Sequence, residues 1–263
     1  MSSLCRSLLG IFLVMSGTSA LSQVPLHVCA DPDNLPFSSA SHAGFDNRIA
    51  ELLGRDLNRP IVFVWARARR GFLRERFNKD ECDLLMGVPE GMKRVRTTIP
   101  YYRSSYVFVT RQSDHLQLTR FDDPVIGKRR IGLQILEEDF SPPSLPLIRS
   151  GHAAQLVGFH SFGSGGEDIL HAVADGNIGF AVVWGPVAGY FSGKQNVPLR
   201  LSVVQPSMDA SGIPFSFAIS IAVHISDSLL TEKLNAAIRK NEDRIHAMLR
   251  TYRVPLEPEE GGG

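Results

Sequence analysis

The sequence predicts an α/β protein of two lobes, each a mainly parallel sheet flanked by helices, the two joined by a two-strand hinge. Three observations carry that expectation. Strand and helix patterns alternate from Val24 to Val88. The alternation restarts after Arg111. Beyond Ser211 the chain returns to one more strand and a long amphipathic stretch, so one α/β unit is interrupted by another.

Each element has its own signal. "VPLHVCA" (24–30) is a strand stopped by Asp-Pro. In "FDNRIAELLGRDL", Phe45, Ile49, Leu52, Leu53 and Leu57 fall at helical spacing, with Arg48, Glu51, Arg55 and Asp56 off that face. "PIVFVWA" (60–66) is a strand, "RGFLRERFN" a short helix, and "CDLLMGV" (82–88) the next strand. "SYVFVTR" (105–111) is a further strand. The second unit reads as strand "RRIGLQI", proline-interrupted helix "SPPSLPLIRSG", strand "AQLVGF" and helix "GEDILHAVADGN". Strand "GFAVVWG" then ends in a Gly-Pro turn. "FSFAISIAV" (215–223) is the returning strand. In 228–252, one or two helices, Leu229, Leu230, Leu234, Ala237, Ile238, Ile245, Met248 and Leu249 supply the apolar face.

These elements divide the chain into lobe one (24–111 with 212–256), lobe two (112–211) and a flexible tail (257–263). The two crossings fall near Thr110–Ser113 and Ser207–Pro214, where a hinge could close on a cleft. Ahead of lobe one, Arg6, the apolar run Leu8–Met15 and the small residues "SGTSA" have the make-up of an export signal cleaved near Ala20. The run is roughly half the ~20 residues a membrane span needs, so a transmembrane anchor is the weaker reading.

Removing Arg6 from the 28 Lys and Arg leaves a balance against 27 Asp and Glu. That balance argues against nucleic acid and gives no general pull toward anionic membranes. Of three cysteines, Cys5 leaves with the signal. Cys29 and Cys82 are an even pair in an oxidising compartment and read as a disulfide. The other reading is two separately buried thiols. Two cysteines without a suitably spaced His pair make no structural zinc site.

Nothing in the chain announces catalysis. There is no G-x-S-x-G elbow. "GSGG" (163–166) lacks dinucleotide or Walker spacing and reads as a linker. The eight histidines show no H-x-x-x-H pair. The expectation is a protein without enzymatic activity and without a resident cofactor or metal.

Two interleaved α/β lobes behind an export signal resemble the type II periplasmic solute-binding fold. "CDLLMGVPEGMKR" followed by "IPYYRSSYVFVTR" is similar to its amino-acid-binding branch. There a strand ends in Gly, an anchoring Arg follows seven residues on, and an aromatic pair precedes the next strand; here these are Gly87, Arg94, Tyr101 and Tyr102. Two departures stand out. Pro89 occupies a position where that branch commonly offers a Thr hydroxyl and an N–H. Gly179 and Phe180 stand where its second lobe carries an Asp for the ligand's amino group.

A narrower resemblance is more specific. "VCADPDNLPFS", "RRGF", "MGVPEG", "TTIPYYRSSYVFVTR", "VVWGPVAGYF" and "LRTYRVPL" together resemble the J proteins of bacterial methanol-oxidation systems (the MxaJ/XoxJ type), from about Leu26 to Leu256. The resemblance implies a periplasmic accessory protein, monomeric alone. It would help to assemble, mature or activate a pyrroloquinoline-quinone (PQQ)-dependent methanol or alcohol dehydrogenase through protein contact. The dehydrogenase is the implied partner, with its c-type cytochrome as a further candidate.

Loops at the carboxyl ends of parallel strands should converge on one rim. Asp31, Asn34, Pro36 and Phe37 follow the first strand; Arg69, Arg70 and Phe72 the second; Gly87, Pro89 and Arg94 the third. With Tyr101, Tyr102 and Trp184 they make a candidate ligand or partner cleft, aromatic with cationic anchors. Plainer roles stay open. Asp31 and Asn34 could form only an Asx turn, Arg70 a surface ion pair, the tyrosines core cover, and Trp184 inter-lobe core. Three rivals to the accessory role follow: an importer subunit that captures a small organic or amino acid, a carrier of the quinone itself, and a periplasmic enzyme.

Overall fold

The apolar strand Leu26–Ala30 (β1) is the axis of lobe one. The computed structural model describes residues 24–67, 77–136, 139–161 and 163–257. The export signal, Arg69, Arg70, Phe72 and most of "RGFLRERFN" lie outside them. β1 pairs in parallel with Ile61–Trp65 (β2) on one side and Leu84–Pro89 (β3) on the other. The helix Phe45–Asp56 (α1) returns the chain between β1 and β2 and buries Phe45, Ile49, Leu52 and Leu53, as the periodicity requires. It also buries Asp46 and Asn47, which an apolar-face count leaves out.

The Cys29–Cys82 disulfide joins β1 to the start of β3, with Cα atoms 5.5 Å apart across a sequence separation of 53. The register explains the pairing. Cys29 sits opposite Leu85, three residues past Cys82, in neighbouring strands.

Tyr102–Arg111 (β4) begins three residues earlier than its sequence signal, because its first part pairs with Ser216–Val223 (β9). Lobe two is built on Ile131–Leu136 (β5), which pairs in parallel with Leu156–His160 (β6) and Phe180–Trp184 (β7). Ser144–Arg149 (α2), Gly165–Ala174 (α3) and Gly185–Ser192 (α4) complete its layers. The sheet order is β6-β5-β7-β4-β9-β3-β1-β2. Leu199–Val203 (β8) also pairs with β4.

β4 belongs to both lobes. Tyr102–Ser105 pair with β9, whereas Tyr106–Val109 pair with β7, and Val107–Arg111 pair with β8. The strand passes between the sheets without a break. The second passage runs between Val203 and Ser216.

Three local expectations are corrected, and one strand is added. Gly185-Pro186 opens a helix instead of a turn, since Pro in the first helical turn gives up no intrahelical bond. Gly165 and Gly166 of "GSGG" are the first residues of α3 and not a linker. Ser228–Thr251 (α5) is one helix, N-capped by the Asp227 side chain, and Leu229 on it is 60% exposed instead of packed. β8 was missing from the element reading: its alternating "LRLSV" is only half-buried, a weak signal.

Candidate functional site

The site is a cleft of about 1040 Å³ between the lobes. Phe37, Phe63, Tyr102, Tyr106, Trp184 and Phe217 form much of its wall. Asp31, Asn34, Gly87, Pro89 and Arg94 also line it. Pro36 and Tyr101 do not.

The break after β1 is a set of local hydrogen bonds. The Asp33 N–H donates to Asp31 Oδ1 at 2.8 Å, an Asx turn, and the Ser38 hydroxyl donates to the Asp31 carbonyl at 2.7 Å. Asn34 pairs through its backbone with Ser38. Pro36 is buried, and its carbonyl accepts the Phe45 N–H at the start of α1. Phe37 packs edge-on against Phe45, 5.3 Å between centroids, and touches cores of both lobes. The Asx-turn reading of Asp31 therefore holds alongside its place in the wall.

The tyrosine pair divides. Tyr101 turns into the lobe-one core, where its hydroxyl donates to Asp46 Oδ1 at 2.6 Å. Tyr102 is 4% exposed and reaches the cleft. Burial, with the nearby Asp46 charge, holds both phenols well above their ordinary ionisation range.

Asp46 is one of the cleft residues that the sequence reading missed, with Asn47, Phe63, Tyr106, Gln134 and Phe217. It occupies the first turn of α1, and burial pushes its carboxyl up to about 7, while the Tyr101 hydrogen bond acts in the opposite direction. Gly87 faces it: a Cβ there would lie 3.1 Å from Asp46 Oδ2, at a backbone φ of 75° that favours glycine. Asn47, also in the lining, accepts the Ser39 N–H through Oδ1, while its buried Nδ2 has no hydrogen-bond partner among the described residues. An Asp-Asn pair at a helix start reads as an ordinary dipole complement, so its burial was invisible before the loops were placed.

Lobe two supplies Gln134 and Trp184. Gln134 Oε1 accepts the Trp184 N–H at 2.9 Å and fixes the end of β7. A lone Gln in the otherwise apolar "IGLQIL" was the available signal. The Trp184 ring packs edge-on to Tyr106 at 5.3 Å and to Phe217 at 5.8 Å, so it is both inter-lobe core and cleft wall. Arg94 stands exposed at a backbone φ of 71°. Phe180 is fully buried in the lobe-two core, and the Gly179 N–H is taken by the Arg130 carbonyl. Neither position offers an acid to the cleft.

No model of a known protein family matches the chain. It is 27% identical to protein MoxJ of Paracoccus denitrificans, over 94% of each chain. Its fold is similar to that of the crystal structure of MxaJ from Methlophaga aminisulfidivorans MPT, with a TM-score of 0.76 and 28% identity, covering 88% of this chain and all of that one. The crystal structure of the periplasmic binding protein XoxJ from Methylobacterium extorquens AM1 is 31% identical, with a TM-score of 0.73, covering 89% of this chain and all of that one. Sequence likeness over nearly the whole of these proteins, on a shared two-lobed fold, leads to one conclusion: the chain belongs to the MoxJ/MxaJ/XoxJ family, the periplasmic-binding-protein-like J proteins of bacterial methanol-oxidation systems.

Proposed function

We propose that the protein is a non-catalytic periplasmic accessory factor, exported by a signal cleaved near Ala20, that assists assembly, maturation or activation of a PQQ-dependent methanol or alcohol dehydrogenase. It acts through protein–protein contact at the cleft. One observation carries the reading: the described lining of the cleft is rich in aromatic side chains, and two positions that would anchor a zwitterion in the amino-acid-binding branch are not equipped to do so here. Pro89 has no N–H to give, and Phe180 is buried where a lobe-two acid would be needed. An apolar, aromatic concavity of this size suits a protein segment better than a small charged nutrient.

Deleting the gene and assaying the dehydrogenase in the periplasmic extract tests the proposal. Expected are lost activity and lower quinone content, restored by complementation, together with co-purification of the two proteins. A dehydrogenase that stays fully active and quinone-loaded without this protein refutes it. Arg94, an exposed guanidinium lining the cleft, supports the importer reading as the alternative. A thermal-shift screen of amino and organic acids decides that reading: a ligand at ~100 times its Kd stabilises by about 2.7 kcal/mol, and a flat response removes it.

A further inference from the structure

The residues that follow α5 pack on both lobes. The first six, Tyr252–Glu257, run as a strap across lobe one, lobe two and both passing strands. On lobe one, the Tyr252 hydroxyl donates to the Ala43 carbonyl at 2.6 Å, and its ring packs edge-on against Phe45. Val254, 5% exposed, fills the lobe-one core. On lobe two, the Tyr252 ring stacks on Tyr190 of α4 at 5.8 Å.

α4 is shaped for this contact. Gly185 and Gly189, and Gly193 just past its end, recur every fourth residue and share one face. A Cβ on Gly189 would lie 1.9 Å from the Arg253 carbonyl oxygen. One on Gly185 would lie 2.7 Å from Pro255, and one on Gly193 2.7 Å from the Arg253 guanidinium. At Gly189 the strap's backbone, and at Gly185 and Gly193 its side chains, lie where side chains of α4 would otherwise stand.

The strap then ties down the passage between the lobes. The Ser104 hydroxyl donates to the Pro255 carbonyl at 2.7 Å, and the Glu257 N–H donates to the Arg103 carbonyl at 3.1 Å. The Glu257 carboxylate accepts from the Ser105 hydroxyl of β4 with one oxygen and from the Ser216 hydroxyl of β9 with the other. Ser105 and Ser216 face each other in the ladder at the last β4–β9 pair before β4 joins the lobe-two sheet. Between the turn after β1 and the residues just before α3, the Gly163 N–H donates to the Asp33 carbonyl at 3.2 Å, a further link between the lobes.

We propose that Tyr252–Glu257 is a latch that fixes the angle between the lobes and so sets the opening of the cleft. Lobe rotation would strip the strap either from the glycine face of α4 or from the Ala43–Phe45 side of α1. It would also break the carboxylate bridge where the strands change partner. The cleft thus receives its occupant at a preset width and does not close around it. This concerns the isolated protein and does not depend on which partner it serves.

The test is the inter-lobe distance in the full chain. Spin labels go on exposed positions of each lobe, through Arg239→Cys on α5 and Lys128→Cys in lobe two, and pulsed electron resonance reads the distance distribution. The parent should give one narrow distribution. Glu257→Ala should broaden it and shift it, Gly189→Val should shift it further, and Glu257→Gln should restore most of the parent's width. A broad or two-peaked parent overturns the proposal. So does a distribution unchanged in Glu257→Ala while circular dichroism shows the variant folded. If Gly189→Val does not fold, Glu257→Ala alone decides.

Discussion

Asp46→Asn should change how stability depends on pH, with a sign that can be worked out beforehand. In the folded protein the Asp46 carboxyl holds its proton to about 7, against an ordinary value of 3.8. Between those values the folded state binds more protons than the unfolded one. The group's contribution is therefore intact below 3.8 and is lost as pH rises to about 7. At ~1.4 kcal/mol per pH unit the loss is about 4 kcal/mol. Asn does not titrate, and its Oδ1 can still accept the Tyr101 hydroxyl that Asp46 now accepts at 2.6 Å. Urea unfolding of parent and variant between about pH 4 and about pH 8 measures the effect. All other carboxylates are common to both proteins and cancel in the difference. The variant should gain on the parent by about 4 kcal/mol across that range and hold a plateau above it. A difference independent of pH would refute the reasoning, for it would mean that the carboxyl sits in water or is paired with a cation.

Cys29→Ala/Cys82→Ala should cost about 4 kcal/mol by the loop-closure argument for a separation of 53, lowering the urea midpoint by roughly 1 M or more. Reduction of the parent should act in the same direction, and an unmoved midpoint in both would sink the staple. Gly87→Ala should lower stability by about 1 kcal/mol or more, since Ala resists the left-handed backbone there and its methyl crowds Asp46 Oδ2. A variant with the parent's melting temperature would remove that strain from the account.

Much of the fold was legible because apolar periodicity is a local property. β1, β2, β3, β5, β6 and β7 carry dense apolar runs, and α1 and α5 carry helical spacing over several turns. The weak points were local too. β8 alternates but is half-buried, and Gly185-Pro186 reads equally as a turn or as a helix start. The candidate site was less legible. Asp31, Asn34, Phe37, Gly87, Arg94, Tyr102 and Trp184 meet at the cleft because the loops after parallel strands share one rim. Tyr101 follows the same loops but points into the core, and Pro36 is buried at the start of α1, choices made by tertiary packing and not by sequence position.

The sequence by itself determined the two-lobed α/β class and the family, and made the disulfide the preferred of two readings, which the structure then decided. Apolar periodicity, an even cysteine pair and compound motifs are each written in contiguous residues. Only the tertiary structure decided that Asp46 is a buried acid on the cleft, because the groups that surround it, Tyr101 and Gly87 among them, are distant in the chain. It alone decided that "VVWGPVAGYF" and "LRTYRVPL" pack on one another. A glycine every fourth residue has no stated purpose until another stretch of backbone is laid against it.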